Sequence, residues 1–156
     1  MPLKNILMMS FGFLIIHSKP LTYCRKAMQQ IHEFIKKAKL PENGIIINAP
    51  KEIEGLFLSL GYTNQFGGTK NTTAIIFLND STLLSQLMEL CLKHTVYDSL
   101  IWICYPKGTS KVKTDLNRDI LWELIQPFGV RPVGMVSVDA TWSAMRIRPS
   151  DMVKSK

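Results

Sequence analysis

Three short apolar runs, each followed by a helical pattern, constrain this chain most. They are Ile45-Ile46-Ile47, Ala74-Ile75-Ile76-Phe77-Leu78 and Leu100-Ile101-Trp102-Ile103-Cys104-Tyr105. Each is too short for a helix and shows no polar alternation, which is the signature of a strand buried on both faces. Pro50 opens a helical stretch over residues 51–60 that Gly61 ends. Asp80 or Ser81 caps the next, with Leu83, Leu84, Leu87, Leu90 and Cys91 as its buried face. Leu116, Ile120, Leu121, Leu124 and Ile125 form the stripe of the last helix, which Pro127 and Gly129 end. Strands alternating with helices predict parallel βαβ units with helices on both faces of the sheet. Residues 133–138 and 142–148, joined at Asp139-Ala140-Thr141, add an antiparallel hairpin at one edge. The expected class is α/β: a three-layer sandwich with a mostly parallel five-stranded sheet.

Ahead of these runs, Met28, Ile31, Phe34, Ile35 and Ala38 recur at helical spacing, with Lys36, Lys37 and Lys39 at the far end. Cations there suit the helix dipole. Residues 1–27 read as a basic, apolar arm outside the fold, residues 28–150 as a single domain, and residues 151–156 as a tail. Within the arm, Lys4 precedes an apolar run from Ile6 to Ile16. The run resembles the start of a secretory signal, but no small-x-small cleavage site follows. It is also well short of the roughly 20 residues a membrane-spanning helix needs. An appended strand and an upstream extension are the other readings.

Charge separates the same two regions. The chain carries a net +7, and residues 1–40 hold seven basic residues against one acid. The remainder holds twelve basic and eleven acidic residues and is close to neutral. A nucleic-acid or anionic-membrane partner is therefore expected only of the arm, not of the folded body. Cys24, Cys91 and Cys104 are odd in number, and no C-x-x-C pair occurs. Cys91 and Cys104 read as small buried residues in a reducing compartment, and a cytoplasmic location is expected. His17, His32 and His94 have no metal-ligand spacing, so no metal is expected.

The densest polar chemistry follows the third run, in Pro106-Lys107-Gly108-Thr109-Ser110-Lys111-Val112-Lys113-Thr114-Asp115. A loop between a strand end and a helix start is where open α/β sheets bind ligands. Thr114 or Asp115 is the expected helix cap, and free N–H groups there favour an anion. Two readings stand side by side: a solvated, capped loop, and an anion site formed by Lys107, Ser110, Lys111, Lys113, Thr114 and Asp115 with Asp139 and Trp142 of the hairpin. The spacing Gly108-x4-Lys113-Thr114 lacks the second glycine of a P-loop, which argues against nucleoside triphosphates. Trp142 is read as a stacking platform or a core anchor, and Asp80 as a helix cap or an acid at a strand end. After the first strand, Asn48-Ala49-Pro50-Lys51-Glu52 contains no glycine, so a dinucleotide or S-adenosylmethionine loop is not expected. Residues 62–73 read as a long loop, which suggests either a function or a deletion.

Two resemblances bear on this reading. The blocks Trp102-Ile103-Cys104-Tyr105-Pro106-Lys107-Gly108-Thr109-Ser110, Lys113-Thr114-Asp115-Leu116 and Val138-Asp139-Ala140-Thr141-Trp142-Ser143 look like a bacterial family classed only as a domain of unknown function. That likeness covers roughly residues 28–149 and implies fold and boundaries, not chemistry. The order of elements is similar to the later half of a Rossmann-like methyltransferase. It implies the three parallel strands side by side in chain order, the final strand antiparallel beside the third, and residues 133–138 at the outer edge. The chain is thus expected to be a Rossmann-like cytoplasmic α/β protein that takes a small anionic ligand, or a partner, at the loop after the third strand. The alternatives are an enzyme of methyltransferase descent lacking the glycine loop, and a nucleic-acid or membrane-surface binder acting through the arm. No cofactor is expected under the leading reading.

Overall fold

The computed structural model describes residues 21–153, with side chains from Arg25 onward. The elements are α1 (Leu21–Lys37), β1 (Ile45–Ile47), α2 (Lys51–Ser59), β2 (Asn71–Phe77), α3 (Leu84–Lys93), β3 (Thr95–Pro106), α4 (Arg118–Ile125), β4 (Val130–Ser137) and β5 (Trp142–Pro149). The five strands form one sheet in the order β1-β2-β3-β5-β4. β1, β2 and β3 run parallel, while β5 is antiparallel to β3 and β4 antiparallel to β5. This is the spatial order that the methyltransferase-type topology implies. The sheet is mixed: β1, β2, β3 and β4 run in one direction, and β5 alone runs against them.

Side-chain alternation divides the interior into two layers. Ile45, Ala74, Ile76, Ile101, Ile103, Met145 and Ile147 face α3 and α4. Ile46, Ile75, Phe77, Trp102, Cys104 and Ala144 face α1 and α2. Both faces of the parallel strands are covered, so the apolar runs carry no polar alternation.

Both sheet edges are guarded. At the β1 edge, the Ile46 N–H donates to Thr63 and the Thr63 N–H to Gly44, extending the ladder into the following loop. Gly44 is required there, since a Cβ would meet the Thr73 carbonyl oxygen and the Tyr62 ring at 2.9 Å. β4 carries Pro132 and an irregularity between Pro132 and Gly134, features that blunt an edge against further pairing.

Several expectations are corrected. α1 begins at Leu21, inside the stretch assigned to the arm, and the run from Ile6 to Ile16 lies outside the described residues. A 3-10 turn over Ser81–Leu83 precedes α3 and shifts its phase. The buried face is therefore Leu84, Leu87, Met88 and Cys91, while Leu83 is exposed. α4 buries only Leu121 and Ile125, and Ile120 and Leu124 stay exposed. This helix of eight residues packs at the β4 side of the sheet, so one narrow stripe meets the core. The segment after α2 is less free than a functional loop. Gly61 turns at φ +99, and Tyr62 is buried edge-on against Phe57 with its hydroxyl donating to Pro41.

Candidate functional site

The carboxyl ends of the parallel strands collect the polar loops. The loop after β3 is tied down at both ends. At its start, the Lys107 N–H donates to the Thr141 carbonyl at 2.7 Å, and Lys107 Nζ donates to Ser137 Oγ at 2.7 Å. Both contacts fasten the loop to the β4–β5 hairpin. Ser110 closes a turn, its N–H and hydroxyl both donating to the Lys107 carbonyl. At the far end, Asp115 accepts from the Ser81 N–H at 2.9 Å and from the Ser81 hydroxyl. The loop therefore bridges from the hairpin to the β2–α3 connection.

Asp115 is the loop's acid, and Ser81 holds its carboxyl below the usual carboxylate range, through the hydroxyl first and then the backbone N–H. It stays ionised and is committed to that contact. Lys111 and Lys113 are exposed and enter neither of the two ion pairs among the described residues, which are Arg118–Asp119 and Arg148–Asp98. The middle of the strapped loop thus presents two cations with no acid opposed.

The helix-cap expectation is corrected. Asn117, not Thr114 or Asp115, is the N-cap of α4, accepting from the Ile120 N–H at 2.9 Å. Thr114 accepts from the Leu116 N–H in a turn of its own. The sequence holds a signal for this. Leu116 and Leu121, both buried, occupy the two positions of a hydrophobic staple around Asn117. An anion at this loop accordingly rests on lysines rather than on the helix N-terminus.

Asp139 accepts from the N–H groups of Thr141 and Trp142, each at 2.8 Å, and so builds the hairpin turn. Trp142 is buried, edge-on to Phe77 with ring centroids 5.0 Å apart. It anchors the core, with its rim in a groove between α1 and α2 that Asp139 also lines. Asp80 caps the turn before α3, accepting from the Thr82 N–H at 2.9 Å. The structure joins Lys107 to the hairpin and Asp115 to Ser81. Among the described residues no hydrogen bond or ion pair joins Lys111 or Lys113 to Asp139 or Trp142.

Sequence reasoning missed Asn48. It follows β1 and adopts φ +63, a left-handed conformation that glycine usually supplies at such a turn. Its side-chain amide donates to the Phe77 carbonyl at 2.8 Å, joining the ends of β1 and β2. Beside it opens a cleft of ≈ 350 Å³, lined by Asn48, Leu78, Asn79, Asp80, Thr82 and Leu83. The absence of glycine from this turn is thus not an absence of the left-handed turn.

The buried thiols are chemically quiet. Burial pushes Cys91 up to about 12, and burial followed by the Asp139 charge pushes Cys104 well above the ordinary thiol value. Among the described residues no group of His, Cys, Asp and Glu is arranged to hold a metal ion, and no helix is long and apolar enough to cross a membrane.

No protein-family model and no curated protein matches this chain. Among solved structures it is similar to the N-methyltransferase NodS from Bradyrhizobium japonicum WM9, at 11% identity and a TM-score of 0.47, over 81% of this chain and 96% of that one. It is similar to LepI in complex with SAM, at 10% identity and a TM-score of 0.46, over 80% of this chain and 41% of that one. It is also similar to phosphoethanolamine N-methyltransferase 2 from Haemonchus contortus, at 15% identity and a TM-score of 0.42, over 88% of this chain and 40% of that one. The chain spans nearly all of the first and about two fifths of the other two. At these identities and scores the likeness carries no argument about chemistry.

Proposed function

We propose that this chain is a cytoplasmic ligand-binding α/β protein that takes a small phosphate-type anion on the loop after β3. The observation that carries this reading is the division of labour in that loop. Asp115 is consumed by Ser81, Lys107 is consumed by the hairpin, and Lys111 and Lys113 stand exposed between these two straps with no ion-pair partner. A loop fastened at both ends loses little freedom on binding, and charge-assisted bonds from lysine supply the attraction.

Differential scanning fluorimetry with inorganic phosphate and pyrophosphate, at fixed ionic strength, tests the reading. Both anions are expected to raise the Tm, and Lys111→Ala with Lys113→Ala to remove the response while leaving the unliganded Tm within about 2 °C. Lys107 is left intact because it holds the loop to Ser137. An unchanged anion response in the double variant overturns the site.

A second reading, an enzyme of methyltransferase descent, is favoured by Asn48. Its left-handed turn and the adjoining cleft with Asn79 and Asp80 lie where a parallel α/β sheet receives a nucleoside. A Tm rise with S-adenosylmethionine that is lost in Asp80→Asn supports this reading over the first. The third alternative, through residues 1–40, falls only in part outside the described residues: Lys4 and Lys19 lie there, while Arg25, Lys26, Lys36 and Lys37 lie on α1 and Lys39 just after it.

A further inference from the structure

At the opposite end of the sheet, β3 carries an insertion. Asn71 pairs with Thr95 and Thr73 with Leu100, so residues 96–99 of β3 stand opposite Thr72 alone. The backbone turns at Asp98, whose φ is +59. A left-handed residue other than glycine is uncommon, and such strain persists only where surrounding contacts hold it. Arg148 supplies the hold, donating from Nε and Nη2 to the two carboxylate oxygens of Asp98 at 2.9 and 2.7 Å. Behind this insertion lies a cavity of ≈ 350 Å³ that neither reading above uses. Its volume falls within the range of small-molecule pockets, about 300–1,000 Å³.

The lining is amphiphilic. Leu92, Ile101, Phe128, Val130 and Ile147 give it an apolar wall, and Lys70, Asp98 and Arg148 form its charged part. Those three side chains sum to one positive charge, and the Arg146 charge also acts on Asp98. The nearby Asp151 is engaged by the Tyr97 hydroxyl. Asp98 takes two of the five N–H donors of the Arg148 guanidinium, so three remain. Lys70 is exposed and makes none of the described hydrogen bonds.

We propose that this cavity binds a small organic anion with an apolar body, of the aryl or branched-chain carboxylate kind. The apolar body rests against Ile101, Phe128 and Ile147. The carboxylate meets Lys70 and the donors of Arg148 that Asp98 leaves open. Asp98 fixes the guanidinium beforehand, so the ligand does not have to break the ion pair. Binding here is independent of the loop at the carboxyl edge.

A titration of the full chain with benzoate, followed by two-dimensional ¹H–¹⁵N NMR at constant ionic strength, tests the proposal, with benzamide as the neutral isostere. Saturable shifts are expected in the amides of residues 95–101, 128–130 and 147–148. Benzamide is expected to bind at least fivefold more weakly. Lys70→Gln, at an exposed position, is expected to weaken benzoate at least fivefold and to leave benzamide unchanged. The proposal is overturned if benzoate gives no saturable shift, if the shifts gather at residues 107–115, if benzamide binds equally well, or if Lys70→Gln leaves benzoate binding intact.

Discussion

Replacing Asn48 by alanine and by glycine separates its hydrogen bond from its backbone conformation. Both changes remove the amide that donates to Phe77 at 2.8 Å, a loss of about 1 kcal/mol. They differ at φ +63. An L side chain in the left-handed region costs about 1–2 kcal/mol, which glycine avoids. Alanine recovers about 0.4–1 kcal/mol of that because its unfolded chain is less free. Asparagine already bears part of that cost, so the quantity to read is the difference: Asn48→Ala is expected to be about 1 kcal/mol less stable than Asn48→Gly. At a right-handed position the two would stand in the opposite order, so the sign of the difference carries the test. Equilibrium unfolding in urea, followed by the fluorescence of the buried Trp102 and Trp142, reads it directly. Alanine as stable as glycine, at equal urea dependence, refutes the left-handed turn and removes the second functional reading with it.

Three further outcomes are expected. Asn117→Ala should cost about 1 kcal/mol in the same assay as the loss of the α4 cap, and Thr114→Ala clearly less; the reverse order would return the cap to Thr114. The Asp115 carboxyl is depressed in the folded chain below its unfolded value of about 3.9, so its contribution is fully present above that pH and lost as the pH falls through the folded pKa. Asp115→Asn should therefore flatten the acid limb of urea midpoints measured from pH 2 to 6, and an acid limb parallel to the parent's would show that the Ser81 contact contributes nothing. In a Cys24→Ser background, Cys91 and Cys104 should resist a disulfide reagent until urea unfolds the chain, because both are buried and their thiols are pushed up; rapid labelling of the native protein would contradict that burial.

The candidate site was legible in part. The loop from Lys107 to Asp115 was found because its polarity contrasts with the apolar strand before it, and that contrast lies within adjacent residues. What Asp115 does was not legible, because its partner Ser81 is 34 positions away and belongs to a different strand–helix unit. Lys107 reads as a free cation in the sequence, but Ser137 across the hairpin engages it. Asn48 was passed over because a search for glycine looks for a residue type, whereas the turn needs a conformation that asparagine also reaches.

The sequence by itself determined the layers. Continuous apolar runs can be satisfied only by strands covered on both faces, and an antiparallel hairpin can join them only at an edge, so β1, β2, β3 and the terminal pair followed from local pattern. The helix phases did not follow, and of the caps only Asp80, before α3, did. The 3-10 turn before α3 and the staple around Asn117 are set by how each helix seats on the sheet. Tertiary structure alone decided the straps on the β3 loop, the left-handed turns at Asn48 and Asp98, and the cavity behind Arg148. Each of these depends on groups that are distant in the chain and meet only after the sheet has formed, and no local periodicity records such a meeting.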